Sequence, residues 1–509
     1  MQIEWTRNMK KRPFRLSLCA CLLAALTLLS GCGIIILNKP TADTSSPSSS
    51  GDGTASTDTA HSTPDTLPPN ADQSAHYAAY ADAYLRRITG NGYDFESASF
   101  IIATPRTELF HPTDADNTYS SAIFQRNTTV EEALNIRLTS SAVDEESFFD
   151  QLHASVLADE YFADLLLIPE GKIGTFAAGG VLTNLRSMPL LDLTQPYFDA
   201  DSVEAATAGN ILYAAAGQAS QEITALDAVY FNRTLFEENG VEIPYSLVYE
   251  GRWTWDAFFA SASAVTGINA YAAANGIETF SSFAYQYAEE LLPSAVFYSC
   301  GERFVRSAEG ESPVLLLSEE ASAAAETVAR LFGDPDAHKD TASGVARFHG
   351  GKSLYLIDRL YLMSWMPDSR QNWGILPLPK GTEEQKNYIS LADDSALFFA
   401  VQSGAAHTAR TSVVLSALNA ASYGVLTEAY IDYAMNHLLR DNDSANMLEI
   451  IAFSRAYDFA LAFGHVNTAL ASATTVGMTD LAHGTPFSAI LTRTAAADRE
   501  LATRYPALS

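Results

Sequence analysis

Basic residues and cysteines are scarce in this 509-residue chain. Thirty-one Lys and Arg stand against 60 Asp and Glu, a formal net charge of −29. Phosphate recognition needs a basic face and none is visible, so no nucleic-acid partner is expected. Four cysteines, Cys19, Cys21, Cys32 and Cys300, make neither a disulfide scaffold nor a zinc cluster. The motifs Gly-x-Ser-x-Gly, His-Glu-x-x-His and Gly-x-x-x-x-Gly-Lys are missing. The ten histidines are scattered; His338 and His349 lack ligand spacing and read as solvated or capping residues. Asp441-Asn442-Asp443-Ser444 begins like a calcium loop, but the glycine and distal glutamate are absent in register. It reads as a helix N-terminus capped by Asp443 or Ser444. No metal and no cofactor is implied, and no internal repeat is visible. What is present is core material. Hydrophobic residues make up 47% and aromatics 11%, which excludes wholesale disorder.

The N-terminus reads as an address. Arg7, Lys10, Lys11, Arg12 and Arg15 precede a nearly all-apolar run from Leu16 to Leu29, which exits through Leu29-Ser30-Gly31-Cys32. A basic start, an apolar run and a small-residue exit describe a secretory signal over residues 1–31. The exit tetrapeptide resembles a bacterial lipobox, whose cysteine is lipidated and becomes the mature N-terminus; that implies Cys32 as the lipid-attachment residue. The alternative is an uncleaved membrane anchor, because Gly33-Ile34-Ile35-Ile36-Leu37 prolongs the apolar stretch far enough to span a bilayer. Either way the bulk of the chain lies outside the cytoplasm, tethered to a membrane. Cleavage would remove five bases and one acid, leaving 26 bases against 59 acids. Cys300 would then lack a partner and is expected to be a small buried residue.

From Pro40 to Ser74 the only large apolar side chain is Leu67. Such a segment cannot recover its ordering entropy by burial, so residues 32–75 are expected to be a disordered stalk. From His76 onward the pattern alternates. Helices are expected over 77–88, 119–133 and 144–157, and strands at 99–103 and 134–138. Asp164-Leu165-Leu166-Leu167-Ile168-Pro169 is a continuous apolar run stopped by proline, as a strand covered on both faces requires. Further strands are expected at 211–215, 226–231, 353–357, 373–377 and 396–401, and helices at 408–420, 424–438 and 444–452. This alternation predicts an α/β class with mostly parallel sheets and a helix-rich C-terminal part.

Several phrases carry a resemblance in their order and spacing. They are Leu185-Arg186-Ser187-Met188-Pro189-Leu190-Leu191-Asp192-Leu193, Ala228-Val229-Tyr230-Phe231-Asn232, Gly251-Arg252-Trp253-Thr254-Trp255-Asp256 and Trp373-Gly374-Ile375-Leu376-Pro377-Leu378-Pro379-Lys380. With the lipobox in front, they resemble the extracellular solute-binding proteins of ABC importers, the group that includes maltose-binding protein. The resemblance covers roughly 95–455; the helical stretch at 73–90 and the chain beyond about 470 depart from it. The phrases also have plain physical readings. Thr254 suits an N-cap, Asp256 the first turn, Trp255 the core, and Gly240 a helix C-cap.

The resemblance implies a two-lobed, type II periplasmic-binding-protein-like fold. Its expected lobes are residues 76–218 and 344–403 for the first, and 219–343 and 404–509 for the second. Ligands of such proteins bind beyond the carboxyl ends of the strands. A sugar wants aromatic platforms with carboxylate, amide and guanidinium partners. The loops after the expected strands offer Glu170, Tyr213, Gln218, Asp358, Arg359, Tyr361 and Trp365. Tyr361 and Trp365 are the platform candidates, against the plain reading of packed aromatics. Asp358 and Arg359 have the alternative reading of a surface ion pair. The implied function is non-enzymatic: a monomeric, membrane-tethered receptor that captures a small polar solute, an oligosaccharide foremost, and hands it to ABC permease subunits. A lipid-anchored glycoside hydrolase and a surface adhesin are the alternatives; no spacing among the acids picks a catalytic carboxylate pair.

Overall fold

The computed structural model describes residues 71–113, 117–220, 223–286, 291–366 and 371–506. The expected signal, Cys32, the alternative anchor and most of the stalk lie outside the described residues. Among the described residues no helix is long and apolar enough to cross a membrane.

The first part of the chain runs α1 (Ala71–Thr89), β1 (Ala98–Thr104), α2 (Thr118–Leu134), β2 (Ile136–Ala142), α3 (Phe148–Leu157) and β3 (Leu165–Pro169). Helix α1 starts inside the expected stalk, so residues 71–75 are helical. Poverty in large apolar residues does not forbid this: Ala and Gln are good helix formers, and Ala81 and Leu85 anchor the following turns in the core. Asn117 caps α2 by accepting the Ser120 amide, and Asn135, at φ 46°, turns the chain into β2. Strand β1 pairs in parallel with β2 on one side and β3 on the other. All five residues of β3 are buried.

The second sheet is made by β4 (Asp227–Asn232), β5 (Ser281–Ala284), β6 (Ser353–Arg359) and β7 (Trp373–Leu376), in the order β7-β4-β6-β5. Strand β8 (Leu397–Ala400) then returns to the first sheet, antiparallel to β3. Each sheet thus contains a strand that runs against its neighbours. Strand β4 opposes β6 and β7, and β8 opposes β3. Both follow a passage from the opposite sheet. A strand entered that way begins at the end where its neighbours finish, so it must run the other way.

Local chemistry between β4 and β5 agrees with the sequence reading. The Thr254 hydroxyl accepts the Ala257 amide at the start of α4 (Trp255–Ala262). Trp255 is buried and its indole N–H donates to Ser299 Oγ at 2.9 Å. Gly240, at φ 65°, closes the 233–238 helix, and the Val241 amide reaches back to Phe236 O.

Two expected lobe assignments are corrected by the pairing. Strands β6 and β7, placed by sequence in the first lobe, are bonded into the second sheet with β4. Only β8 of that segment joins the first sheet. The C-terminal helices are shared as well. Helices α5 (Thr408–Ser422) and α6 (Val425–His437) pack on α2, beside the first sheet, and α5 also packs on α1. Helix α7 (Asn442–Phe453) packs on β7, and α8 (Phe459–Phe463) returns to residues 170–178. The N-cap of α7 is Asp441, which accepts the Ser444 amide at 2.7 Å, rather than Asp443 or Ser444. Helix α5 is buried around most of its circumference because α1 covers it. Its Asn419 accepts the Ala219 amide at 3.0 Å, and the adjacent chain approaches so closely that a Cβ at Gly217 would lie 2.3 Å from the Asn419 amide oxygen.

Three passages between the sheets lie side by side. Leu226 bridges Ala392, and Ser390–Leu391 pairs in parallel with Arg455–Ala456. The Asp393 amide donates to Ala225 O at 3.2 Å, which ties the first passage to the second.

Candidate functional site

The carboxyl ends of β3 and β6 both abut this crossing ribbon. After β3, the Glu170 amide donates to Ala396 O at 2.8 Å and the Gly171 amide to Asp394 O at 2.9 Å. The approach there is close enough that a Cβ on Gly171 would sit 3.0 Å from Asp394 Cβ. After β6, Arg359 Nε lies 2.6 Å from Asp393 Oδ2, and the Leu360 amide donates to Leu226 O at 2.8 Å. The two strand ends, one from each sheet, therefore meet on Asp393 and Asp394.

The site has a buried layer and an exposed one. Glu170 is fully buried; its Oε1 accepts the Asp458 amide at 3.2 Å, while Oε2 meets no donor among the described residues. Burial pushes its carboxyl well above the ordinary range, and the carboxylates of Asp458, Asp394 and Asp393 push the same way. Asp458 caps α8 by accepting the Ala460 amide and receives the Phe304 and Val305 amides besides. Burial still pushes it up to about 7. Burial also raises Asp393, against the opposing pull of Arg359. Asp394 goes the other way. The His465 imidazole, its Nε2 3.9 Å from Oδ2, holds it below the ordinary carboxylate range, with Arg359 and Lys172 adding to the effect. The ribbon thus presents a carboxylate that stays charged above a layer of carboxyls that resist ionisation.

Of the residues expected from sequence, Glu170 and Arg359 are brought together through Asp393 and Asp394. Asp358 is fully buried and accepts the amides of Gln286 and Arg359, so it fixes the end of β6 to the loop after β5. The surface ion pair between Asp358 and Arg359 does not form; Arg359 pairs with Asp393. Tyr361 and Trp365 meet edge to face, centroids 5.5 Å apart, on the turn that packs against residues 223–225 of the ribbon. Trp365 is 48% exposed and Tyr361 half-buried. Tyr213 is half-buried with its ring against Phe463 at 6.0 Å, two residues from His465. Gln218 stands apart, its amide donating to Tyr197 O and its side-chain Oε1 buried without a partner among the described residues. Cys32 lies outside the described residues. Cys300 is half-buried, and burial pushes its thiol up to about 12.

Asp393, Asp394, Asp458 and His465 were not singled out from the sequence. Asp393-Asp394 had one available signal: it ends one residue short of the strand expected at 396–401 and so stands where a chain enters a sheet. Asp458 and His465 flank an apolar stretch that reads only as core. Among the described residues no group of three or more His, Cys, Asp or Glu is placed to hold a metal ion.

No protein-family model matches the chain, and no curated protein matches it in sequence. Solved structures do match. The cyclic α-maltosyl-1,6-maltose-binding protein of Arthrobacter globiformis superimposes with a TM-score of 0.53 at 12% identity, over 80% of this chain and 98% of that one. The maltose-binding periplasmic protein of Listeria monocytogenes, solved with maltose, gives 0.52 at 12% identity over 80% and 99%. A cyclo/maltodextrin-binding protein complexed with maltotetraose gives 0.51 at 15% over 81% and 98%. The chain therefore has the two-lobed α/β fold of the maltose-binding-protein-like, type II periplasmic binding proteins.

Proposed function

We propose that this protein is a membrane-tethered, extracytoplasmic solute-binding protein that takes an oligosaccharide between its two sheets and delivers it to an ABC importer. The observation that carries the reading is the meeting of β3 and β6 on Asp393 and Asp394 at the crossing ribbon. A ligand seated there touches both halves of the molecule at once. Ligand contacts made from both sides favour a closed arrangement over an open one, which is how a hinged receptor converts binding into a signal for its permease. The shared fold with proteins solved with maltose and maltotetraose supports a sugar as the ligand class.

In this reading the exposed layer meets the ligand. Trp365 supplies an apolar face for a sugar ring and Tyr361 braces it, while Arg359, Asp394, Lys172 and His465 offer hydrogen-bond partners for hydroxyls. Glu170 and Asp358 act from beneath, by holding the strand ends. No bond is made or broken, so maltodextrins are recovered unchanged.

A calorimetric titration with maltodextrins tests the site. Trp365→Ala is expected to weaken binding by about 1–3 kcal/mol, the range of a lost stacking platform, with an unchanged melting temperature of the free protein. An affinity equal to that of the parent removes Trp365 from the site. The tether rests on Leu29-Ser30-Gly31-Cys32. In cells labelled with palmitate, Cys32→Ser is expected to abolish incorporation into this chain; label retained in the variant overturns the lipid anchor.

A further inference from the structure

A pocket lies away from the crossing ribbon, where α1 and the loop after it face residues 190–197 and α5. It has a volume of about 160 Å3 and is lined by Tyr84, Arg87, Tyr93, Asp192, Gln195 and Tyr197, among others. Helix α1, which forms one wall, is the segment that departs from the sequence resemblance. We propose that it is a second carbohydrate site, for a single neutral pyranose ring.

Size comes first. The volume is below the roughly 300–1,000 Å3 of pockets that hold drug-sized molecules, so its occupant is one small ring. The lining then selects the kind of ring. Tyr84 meets Tyr197 edge to face at 5.3 Å, and Tyr93 lies parallel to Phe95 at 6.2 Å, so phenol rings stand around the space at fixed angles. Ile88, Leu190 and Val413 complete an apolar wall suited to the C–H face of a sugar. Arg87, Asn91, Asp192, Gln195 and Ser416 supply a guanidinium, amides, a carboxylate and a hydroxyl for its equatorial groups.

Charge gives an anionic competitor no net advantage. Arg87 and Asp192 line the same pocket with opposite signs. Asp192 is held below the ordinary carboxylate range by the Thr194 hydroxyl and the Gln195 amide, with Arg87 adding to the effect, so it stays ionised at neutral pH. A sulfate, phosphate or uronate that reached the Arg87 guanidinium would also meet that carboxylate; a neutral polyol meets no like charge. Leu190 makes an independent observation. It has φ 68°, a conformation uncommon for a residue with a branched side chain, and the side chain is 59% exposed at the pocket. Strain that holds an apolar side chain in water is a mark of a surface kept for contact. The assignment comes from this pocket's own lining and does not rest on the reading of the crossing ribbon.

The test uses the full chain and saturation-transfer NMR with methyl α-glucopyranoside and methyl β-galactopyranoside as neutral probes, glucuronate as the anionic probe, and a short uncharged peptide. At least one neutral pyranoside is expected to bind. Arg87→Ala, on an exposed side chain, and Gln195→Ala, on a half-buried one, are each expected to weaken that binding at least tenfold at an unchanged melting temperature. Leu190→Gly, which removes the strain and the apolar wall together, is expected to weaken it while keeping or raising stability. Trp365→Ala should leave it unaltered. Neutral pyranoside binding unchanged in both Arg87→Ala and Gln195→Ala overturns the proposal, as does binding lost only in Trp365→Ala. Binding of glucuronate or peptide alone, or of no probe, overturns it equally. Loss of maltodextrin binding in Trp365→Ala reports separately on the interlobe site, so the two readings fail independently.

Discussion

Replacement of Arg359 by Met is expected to destabilise the protein by about 3 kcal/mol at pH 8, the cost of leaving the buried Asp393 carboxylate without its partly exposed partner. Asp393 is 4% exposed and Arg359 Nε lies 2.6 Å from its Oδ2. Methionine keeps most of the volume of the arginine stem, so the lost charge rather than a cavity carries the effect. The sign of the pH dependence follows from Asp393, whose carboxyl burial already raises. Without the guanidinium its pKa rises further. Below the ordinary carboxylate range it is neutral in folded and unfolded chains alike, and the pair is worth little. Above that range the unfolded chain ionises freely while the folded one resists, so the loss grows as pH climbs. Denaturant unfolding at pH 5 and pH 8 checks this, with a markedly smaller loss at pH 5. Equal losses at the two pH values would show that Arg359 acts through packing. The double variant with Asp393→Asn should recover part of the stability at pH 8, because the two residues are one unit.

The elements of this fold were far more legible than their partners. Strand β3 was readable because Leu165 to Ile168 is apolar without a break and Pro169 stops it. Helix α4 was readable because Thr254 and Asp256 are a cap and a first-turn acid. The sheet to which β6 belongs was not. Ser353–Arg359 is an apolar run that would suit either sheet, and only its antiparallel register with β4 decides, with Tyr355 opposite Phe231 and Ile357 opposite Val229. The candidate site shows the same division. Glu170 and Arg359 stood out as polar residues at strand ends, a local signal. That both reach Asp393 and Asp394 is a property of the crossing ribbon, which no local pattern encodes. The burial of Glu170 and Asp358 was equally hidden. A carboxylate in a loop reads as exposed unless the chain that covers it is known, and here that chain lies far along the sequence.

Asp227→Asn is expected to stabilise the protein by about 2–4 kcal/mol at pH 8 and by little at pH 4, as a raised carboxyl pKa requires. Asp227 opens β4 at the crossing ribbon, in register with Arg359 on β6. It is 4% exposed, and its Oδ1 meets no donor among the described residues. Burial pushes its pKa up to about 8, with Asp358 pushing the same way and Arg359 opposing. In the unfolded chain an aspartate ionises near 4, whereas here the proton is held to about 8. Stability is therefore fully present below the lower value and falls as pH rises through the window between the two. Asparagine keeps the shape, never ionises and removes that slope, which unfolding measured at pH 4, 6 and 8 will show. Asp458, pushed up to about 7, and the raised Glu170 leave part of the wild-type slope in place. The two substitutions on this pair of facing residues thus move stability in opposite directions at pH 8. Arg359 restrains the pKa of Asp227, so removing the arginine raises that pKa and deepens the penalty at high pH. Asp227→Asn should consequently stabilise an Arg359→Met background by more than it stabilises the parent. A gain of the same size in both backgrounds would mean that the two residues do not share a field, and that the ribbon's carboxyls titrate independently.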